Sequence, residues 1–437
     1  MKNYLQVSGC PCGRSHDVAI DEVVVGSGVL RRIPEFVSKY GAVRPFVLAD
    51  VNTFAAAGEQ VCAVLDEASI PYSRYVFPQT TLKPDEHAVG AAVMHFDPKC
   101  DLIIGVGSGV INDIGKILSN VSGRKYIIVG TAPSMDGYAS GTSSMDMDGL
   151  KQSLNSRCAD VIIGDVDILK QAPEHMLKSG LGDMLAKYVS VAEWRIAHII
   201  TGEYYCEQVA QLVRTALKKC VENAEGLLKR EDAAVQAVFE GLVIGGVAMA
   251  YAGVSRPASG VEHYFSHVWD MRGLEFGTKV DLHGIQCAMA TAKAIRLYEH
   301  VSALHPDERK AARYVEEFDY NCWKTQLQEF LGASADTMIA LEAKEGKYDK
   351  DTHKARFERI VQNWDSILQI IREELPSSEQ FQKLMDTVGI PTDLNALEVD
   401  SACAKQTFRA TKDIRDKYVL SRLAWDLGIL EELCNLL

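Results

Sequence analysis

Short apolar runs alternate with helical patterns through the first third of this 437-residue chain, and the strand pattern then stops. Strands that alternate with helices predict a parallel sheet with helices on both faces. From about Pro173 onward only helical periodicity remains, which indicates a separate all-helical region. We therefore predict two domains, an α/β domain with a parallel sheet over residues 1–172 and an all-helical domain over residues 173–437.

The individual elements follow from the same patterns. The predicted strands are residues 45–50, 72–77, 101–105, 125–130 and 158–164. The predicted helices are residues 51–68, 83–95, 110–120, 176–197, 203–225, 232–251 and 284–300, followed by a highly charged helical stretch over 315–375.

Composition narrows the class of protein. Apolar residues make up 47% of the chain and charged residues 24%, as in ordinary globular proteins, and the net charge of −13 argues against a nucleic-acid surface. The longest apolar run, residues 241–254, is too short for a bilayer and predicts a buried core helix instead of a membrane span. Because no basic-then-apolar leader is present, we expect the eleven cysteines to be reduced thiols of a cytoplasmic protein.

A glycine-rich turn, Gly105-Val-Gly107-Ser108-Gly109, follows a predicted strand and opens the next helix. Small residues let main-chain N–H groups approach a pyrophosphate, and a helix N-terminus favours its negative charge. A tight turn without a ligand has the same composition. The turn is therefore a candidate phosphate loop, with a purely structural turn as the alternative.

Two further polar features end predicted strands. Asp50 ends strand 45–50 and could accept hydrogen bonds from an adenosine ribose, although the acidic residue of the usual dinucleotide fingerprint follows the glycines and does not precede them. A plain N-cap of the next helix is equally compatible. The loop from Thr131 to Thr142 gathers hydroxyls, a carboxylate and glycines at a strand end, where open α/β sheets bind ligands. A simple polar connection is the alternative.

Three side chains farther along have the chemistry of a catalytic metal site. Asp183 is predicted to open a helical stretch, His263 lies in Ser259-Gly-Val-Glu-His263-Tyr-Phe-Ser-His267, and His283 lies in Asp281-Leu-His283-Gly284. One carboxylate and two imidazoles, with an open fourth position, are typical of catalytic metal sites. His267 follows His263 by four residues, so one imidazole can bind a metal while the other reaches substrate. Alternatively, the histidines fill a core and Asp183 forms a surface ion pair with Lys187.

A second group of possible metal ligands lies in Cys10-Pro-Cys12-Gly-Arg-Ser-His16. Two thiols and an imidazole could hold zinc. No fourth ligand is evident from the sequence and the spacing fits no standard zinc finger, so a turn with buried thiols is the alternative.

These motifs resemble those of one superfamily. The segment from Gly107 to Lys116 resembles the nucleotide loop of the iron-containing alcohol dehydrogenase and dehydroquinate synthase-like superfamily. The segment Thr131-Ala-Pro-Ser-Met-Asp-Gly-Tyr-Ala-Ser140 is more specific and resembles the bacterial sn-glycerol-1-phosphate dehydrogenase family. The Gly180-Leu-Gly-Asp183, 259–267 and His283-Gly284 segments and the tail 410–423 match the same family.

One departure concerns the first loop. Many members carry three consecutive glycines and a serine there, whereas Ser108 and Val110 occupy the middle glycine and the serine positions here. We therefore expect main-chain contacts to phosphate from this loop and no side-chain contact.

The resemblance implies an enzyme that reduces dihydroxyacetone phosphate to sn-glycerol 1-phosphate with NADH or NADPH and one divalent metal ion, zinc or nickel. It implies that Asp183, His263 and His283 bind the metal. It also implies that Asp136, Asp183 and His267 contact substrate, with Asp136 and His267 as the catalytic candidates. The implied nucleotide-binding residues are Asp50, Gly109, Val110, Ile111, Asn112, Asp113, Thr131, Ala132, Pro133, Ser134 and Ser140.

Asp50 favours NADH, because a carboxylate repels a 2′-phosphate. We expect a small-molecule substrate, no nucleic-acid or membrane partner, and a homo-oligomer in the form of a dimer. The alternatives are a glycerol dehydrogenase, a dehydroquinate synthase-like lyase and, from another class, a binding module without turnover. The substrate phosphate needs cations, but Lys187, Arg256 and Lys279 are more typical of solvated charges, so no phosphate site is assigned.

Overall fold

Six parallel strands form the sheet that the alternating pattern predicts. The computed structural model of the chain describes residues 6–7, 9–147 and 150–437. The strands are β1 (Gln6–Val7), β2 (His16–Asp17), β3 (Glu22–Gly26), β4 (Pro45–Asp50), β5 (Ser73–Phe77), β6 (Leu102–Gly107), β7 (Lys125–Gly130), β8 (Thr142–Met147), β9 (Leu150–Asn155) and β10 (Val161–Asp165). The sheet order is β3-β10-β7-β6-β4-β5, and every neighbouring pair is parallel. The predicted α/β class of the N-terminal half is confirmed.

The central strands have unbroken apolar sequences because helices cover both faces of the sheet. Every residue of β4 and of β6 is buried. Two features differ from the prediction. The edge strand β3 was not predicted although it contains three consecutive valines, and the antiparallel hairpin of β8 and β9 has a polar sequence that gives no apolar run.

Helices account for the regular structure after β10, as predicted for the C-terminal half. Those with strands around them are α1 (Ile33–Lys39), α2 (Val51–Thr53), α3 (Glu59–Glu67), α4 (Glu86–His95) and α5 (Gly109–Ser122). Those that follow the sheet are α6 (Val166–Leu169), α7 (Glu174–Leu185), α8 (Lys187–Thr201), α9 (Glu207–Glu222), α10 (Ala224–Leu227), α11 (Asp232–Ala252), α12 (Val261–Phe276), α13 (His283–Ser302), α14 (Glu308–Glu316), α15 (Tyr320–Leu331), α16 (Ser334–Glu345), α17 (Lys350–Gln362), α18 (Trp364–Glu374), α19 (Ser378–Val388), α20 (Ser401–Thr411), α21 (Leu420–Asp426) and α22 (Leu430–Cys434). The single helix predicted over 176–197 is two helices, α7 and α8, that meet at Ala186.

The chain forms two compact units whose bounds do not follow the sequence order. The first holds the described residues up to Met184 together with Gln211–Val254, and the second holds Leu185–Ala210 with Ser255–Leu437. This division differs from a single boundary after residue 172 because α11 returns to the sheet. Its Phe239 ring leaves no room for a Cβ atom on Gly130 of β7 or on Gly164 of β10.

Helix α11 is the core helix predicted from the apolar run at residues 241–254. By length and composition alone it could cross a membrane, but 72% of its apolar window is buried within the folded chain. Burial of this kind is expected for a helix that packs on a sheet face.

Candidate functional site

Three neighbouring strands end in the loops that carry the nucleotide candidates. β7, β6 and β4 are adjacent, and Leu48 pairs with Gly105, which brings Asp50 level with Gly107. The loop that starts at Thr131 follows β7 at the same carboxyl edge. β4 leads outward to the edge strand β5, whereas β6 leads to β7 on the other side, so a topological switch point lies between β4 and β6. Open α/β sheets bind ligands at such a point.

Asp50 is buried and caps helix α2. Its Oδ1 accepts hydrogen bonds from the N–H groups of Asn52 at 2.8 Å and Thr53 at 2.9 Å, and the Thr53 hydroxyl accepts from the Asp50 N–H at 3.0 Å. The capping role considered for Asp50 is therefore present. Both capping bonds end on Oδ1, so Oδ2 can accept a ligand hydroxyl and the two roles are compatible.

The glycines in and just after the candidate phosphate loop are each required by close packing, but against different side chains. A Cβ atom on Gly107 would lie 2.5 Å from Cβ of Ile111, one turn into helix α5. Gly105 and Gly115 both lie against the Tyr126 hydroxyl group, which leaves no room for a Cβ atom at either position. Side-chain packing therefore requires these three glycines even without a bound phosphate.

The five candidates from 109 to 113 form the first turn of α5. Gly109 and Val110 are partly exposed. Asn112 is fully buried and donates to a main-chain carbonyl at 3.0 Å, and Asp113 pairs with Lys116 at 2.8 Å. The side chains of Asn112 and Asp113 thus contact other groups of the protein, and the partly exposed residues of this turn are Gly109, Val110 and Asp113.

The loop from 131 to 134 is held by helix α7. The Ser179 hydroxyl donates to the Ser134 carbonyl at 2.9 Å, and Gly180 lies so close to the Pro133 carbonyl that a Cβ atom there would overlap it. The Ser134 hydroxyl also lies 2.6 Å from that of Ser108, which links the two candidate loops. The sequence interpretation quoted Gly180 only as part of a family motif and missed Ser179, although two adjacent small residues just before Asp183 were a possible signal.

The remaining nucleotide candidates differ in exposure. Thr131 and Ala132 are buried directly after β7. Ser140 is partly exposed at the start of the β8–β9 hairpin, and its hydroxyl lies 2.9 Å from that of Thr142. Ser140 therefore orders the entry to the hairpin.

Asp136 and Asp183 are hydrogen-bonded neighbours in the first unit. Asp183 is fully buried near the C-terminal end of α7, and the prediction that it opens a helix is wrong. Its Oδ2 accepts from the Asp136 N–H at 2.9 Å, which orients the carboxylate. Lys187 is also fully buried, so the alternative of a surface ion pair between Asp183 and Lys187 is wrong as well.

Helices α12 and α13 bring the three candidate histidines together in the second unit. His263 and His267 lie one turn apart on α12, and His283 is the first residue of α13. The ring centroid of His283 lies 5.0 Å from that of His263 and 5.8 Å from that of His267. His263 is buried, while the other two rings are half-buried.

Polar side chains orient two of these rings through Nδ1. Glu262 Oε1 accepts a main-chain N–H at 2.7 Å and lies 2.7 Å from His263 Nδ1. Ser266 Oγ lies 2.9 Å from His283 Nδ1 and accepts from Gln286 Nε2 at 3.0 Å. Metal-binding histidines are commonly oriented in this way, with the other nitrogen, Nε2, as the ligand atom.

Two further side chains with metal-binding chemistry lie beside the histidines. Cys287, one turn along α13, has its Sγ within 4.8 Å of ligand atoms of His263 and His283, and Asp270 forms a similar group with His267 and His283. Burial acts to raise the pKa of the Cys287 thiol, but the two imidazoles outweigh it and the pKa is lowered. The sequence interpretation missed both residues, although the spacing of four residues from His283 could have indicated Cys287.

Buried charges surround the start of α12. Glu193 of α8 accepts the first N–H of α12 at 2.8 Å, and burial together with neighbouring Glu262 raises the pKa of Glu193 to about 8. The half-buried Lys417 donates to the Ser259 carbonyl at 2.9 Å. Burial and neighbouring arginines lower the pKa of Lys417 to about 7. The helix that carries His263 therefore begins among ionisable groups of both signs.

Two of the three basic residues expected to be solvated are buried instead. Arg256 is 2% exposed, and its Nε lies 2.8 Å from Glu203 Oε1. Lys187 is fully buried, whereas Lys279 is exposed. The expectation is therefore wrong for Arg256 and Lys187. For Arg256 the reason is that the Glu203 carboxylate and a main-chain carbonyl compensate the buried charge.

Comparison with known proteins places these features in one family. Residues 24–173 match the family described as iron-containing alcohol dehydrogenase. A glycerol-1-phosphate dehydrogenase of Halalkalibacterium halodurans, described as using NAD(P)+, is 30% identical over 386 residues, which cover 87% of this chain and 86% of the relative. The chain belongs to the glycerol-1-phosphate dehydrogenase family.

The resemblance of the motifs to this family is confirmed by further relatives. The glycerol-1-phosphate dehydrogenase of Geobacillus stearothermophilus is 29% identical over 410 residues, which cover 93% of this chain and 92% of the relative. Among solved structures, a probable glycerol dehydrogenase from Sinorhizobium meliloti superposes with a TM-score of 0.59 at 16% sequence identity. The match covers 96% of this chain and 98% of the S. meliloti chain. That likeness shows the shared fold.

The donor chemistry of the family member fits the divalent ion that the resemblance implies. His263 and His283 offer imidazole nitrogens whose partners at Nδ1 leave Nε2 as the donor. Asp183 offers a carboxylate, and zinc and nickel both accept this combination of ligand types.

Proposed function

We propose that this oxidoreductase reduces dihydroxyacetone phosphate to sn-glycerol 1-phosphate with NADH or NADPH. In the overall reaction a hydride adds to C2 of the ketone and a proton adds to its oxygen, while the nucleotide is oxidised to NAD(P)+. The observation that carries the proposal is family membership over most of the chain, with 87% of it aligned to one glycerol-1-phosphate dehydrogenase. The strand-end loops and the histidine cluster provide binding chemistry of the kinds this reaction needs.

The nucleotide is proposed to bind at the switch point between β4 and β6. Asp50 would accept a ribose hydroxyl through Oδ2, which favours NADH over NADPH. Main-chain N–H groups at the start of α5 would meet the pyrophosphate, where the helix dipole favours negative charge. The full proposed set is Asp50, Gly109, Val110, Ile111, Asn112, Asp113, Thr131, Ala132, Pro133, Ser134 and Ser140.

Asp183, His263 and His283 are proposed to hold one divalent ion, zinc or nickel. Such an ion, when bound, acts as a Lewis acid toward the ketone oxygen. Glu262 and Ser266 act as positioning residues, because each lies within hydrogen-bond distance of the Nδ1 atom of one imidazole. Their role is to keep Nε2 of each ring directed toward the ligand position.

His267 is proposed to contact substrate and to deliver the proton to the new hydroxyl group. It lies one turn from His263, and its ring is stacked on His283 at 5.8 Å between centroids. This placement lets His267 act beside the two ligand histidines without being a ligand. Asp136 would accept a hydrogen bond from the free hydroxyl group of the substrate.

Lys417 is the cation that we propose for the substrate phosphate. Its Nζ donates to the carbonyl of Ser259, two residues before α12 begins, and an ammonium group has further donors for an anion. A phosphate would also favour the charged form of this lysine, whose pKa is lowered to about 7 by burial and neighbouring arginines. Lys417→Met should therefore reduce kcat/KM for dihydroxyacetone phosphate much more than for dihydroxyacetone.

A steady-state assay combined with metal analysis tests the proposed function. Dihydroxyacetone phosphate and dihydroxyacetone are each supplied with NADH and with NADPH, and nucleotide oxidation is followed by absorbance. We expect kcat/KM to be higher for the phosphorylated ketone by about 10³-fold or more, because a site built for polar contacts rejects an analogue that lacks them. Exhaustive chelation should abolish turnover, and full activity after it would rule out a metal role.

Each alternative has its own outcome in this assay. Comparable efficiency with dihydroxyacetone would make the protein a glycerol dehydrogenase. Turnover without net consumption of the nucleotide would indicate a dehydroquinate synthase-like lyase, and binding without any turnover would indicate a binding module. Formation of sn-glycerol 3-phosphate would show that hydride adds to the opposite face of the ketone.

We also propose a cytoplasmic homodimer that acts on a small-molecule substrate and has no nucleic-acid or membrane partner. The net charge of −13 supports the part concerning nucleic acid. Light scattering coupled to size exclusion would measure the oligomeric state directly, and a monomer across the micromolar range would contradict the dimer.

A further inference from the structure

The N-terminal hairpin gathers the cysteine and histidine side chains that the sequence left without a role. Strands β1 and β2 are antiparallel, with Val7 paired to His16, and the connection between them carries Cys10 and Cys12. Both Sγ atoms and a ring nitrogen of His16 lie within 4.8 Å of one another, and Cys12 Sγ is 3.3 Å from His16 Nε2. The three residues are therefore a cluster of donors in space as well as in sequence.

The backbone of this connection has the shape of a tight loop around the cluster. The Gly13 N–H donates to the Cys10 carbonyl at 3.0 Å. Gly9 and Gly13 have φ angles of +72° and +79°, a region that favours glycine. Cys10 and His16 are both buried, and both cysteines are thiols that form no disulfide. Two thiols, one buried and one partly buried, thus lie beside a buried imidazole.

The hairpin contacts the end of helix α11 through His16 and Arg14. The His16 ring packs on the Tyr251 ring near the end of α11, with 5.1 Å between centroids. The Arg14 guanidinium lies 3.5 Å from the carbonyl of Ala252, the last residue of that helix. A hairpin with two-residue strands has few main-chain hydrogen bonds of its own, so a cross-link would add much to its stability.

We propose that Cys10, Cys12 and His16 bind a structural zinc ion that cross-links the connection of the hairpin and holds in place the His16 ring that packs on Tyr251. Thiolate and imidazole are the preferred ligands of zinc in structural sites, and binding transfers the two thiol protons to solvent. The fourth position of the tetrahedron is left to a water molecule or another side chain. This set differs from the proposed catalytic ligands, in which a carboxylate takes the place of the thiolates.

Cobalt substitution of the full-length protein tests the proposal independently of catalysis. After removal of bound metal under reducing conditions, the protein is titrated with Co²⁺, which gives a thiolate-to-cobalt charge-transfer band only where cysteine is a ligand. We expect the band in the natural protein and its loss in Cys10→Ser and in Cys12→Ser. The matched control is Cys287→Ser, which removes the buried thiol beside His263 and should keep the band.

Zinc analysis of the same variants gives the second readout. Cys10→Ser should contain one equivalent of zinc less than the natural protein, and His16→Cys, which supplies another thiolate, should retain that zinc where His16→Phe loses it. Absence of the band from the natural protein would overturn the proposal. So would its retention in Cys10→Ser, or its loss in Cys287→Ser, which would place the thiolate ligand beside His263 and His283.

Discussion

The two units hold their candidate groups by different means. At the edge of the sheet, main-chain atoms and small residues shape the loops, as where Gly180 packs against the Pro133 carbonyl. On α12 and α13, buried polar side chains orient other side chains, as Glu262 orients His263. Loops of the first kind should tolerate many side-chain changes but no added atom where packing is tight. A site of the second kind should tolerate small changes in volume but no loss of a hydrogen-bonding atom.

The largest expected effect is the loss of His267, the side chain proposed to contact the substrate and deliver a proton. His267→Ala should lower turnover by about 10²–10⁴-fold, the usual effect of losing a general acid. Metal content should stay near that of the natural enzyme, because His267 is proposed to contact substrate only. His263→Ala is the comparison variant and should lose the ion together with activity. Loss of metal from His267→Ala would instead make this histidine a ligand.

A second test removes a positioning group and keeps its volume. Glu262→Gln leaves the side chain the same size but weakens the acceptor for His263 Nδ1, so metal affinity should fall about 10–100-fold, as for other partners of metal-bound histidines. Affinity is measured by competition with a chromophoric chelator. Glu342→Gln is the matched control, because Glu342 is also a buried glutamate that accepts a main-chain N–H, here from Tyr348 at 3.1 Å. Equal affinities in the two variants would contradict a positioning role.

A third test adds one methyl group to helix α7, where it faces the loop after β7. Gly180→Ala should push the 131–134 loop away from α7, at a cost of about 1–3 kcal/mol typical of overpacking, and should weaken NADH binding by about tenfold. Both effects can be measured by calorimetry. Gly90→Ala adds the same methyl group on helix α4, where nothing lies within 4 Å, and should leave NADH binding unchanged. If Gly180→Ala binds NADH normally, the loop does not depend on that close contact.

The smallest expected effect concerns the choice of nucleotide. Asp50→Ser keeps an N-cap residue but removes the negative charge that would face the 2′-phosphate of NADPH. The preference for NADH over NADPH should fall about fivefold, which corresponds to about 1 kcal/mol of repulsion between the carboxylate and that phosphate. The ratio of kcat/KM values measures it. Asp85→Ser changes the N-cap of α4, where Asp85 accepts from Ala88 at 2.8 Å, and should not move the ratio. An unchanged ratio in Asp50→Ser would leave Asp50 as a cap only.

The same contrast explains how much could be predicted from the sequence. Strands β4 and β7 were predictable to the residue because parallel strands that are buried over nearly their whole length are rich in consecutive apolar residues. The β8–β9 hairpin was not predicted, because its sequence is polar. The edge strand β3 was also not predicted, because its three valines precede the regular alternation of strands and helices and its partner in the sheet, β10, lies far along the chain. Helix α11 looked like part of the helical half because nothing local in its sequence indicates that it packs on the sheet.

The candidate site divides in a similar way. Histidines four residues apart on a helix and small residues after a strand are local patterns, so the sequence could indicate His263, His267 and the strand-end loops. The groups that orient them lie elsewhere in the chain: Gln286 supports Ser266 from 20 residues away, and Ser179 donates to Ser134 from 45 residues away. Contacts over such separations follow from the folded structure, and no local spacing indicates them.

The packing of Tyr126 between helix α5 and the sheet has an evolutionary consequence. Its hydroxyl group occupies the space in which Gly105 and Gly115 would carry a Cβ atom. These three positions should therefore vary together among homologues, with alanine tolerated at 105 or 115 only where a smaller residue replaces the tyrosine. A consensus drawn from aligned loops would combine this internal constraint with selection for ligand binding. Covariation with position 126 would show which glycines are kept by this packing constraint and which by selection for ligand binding.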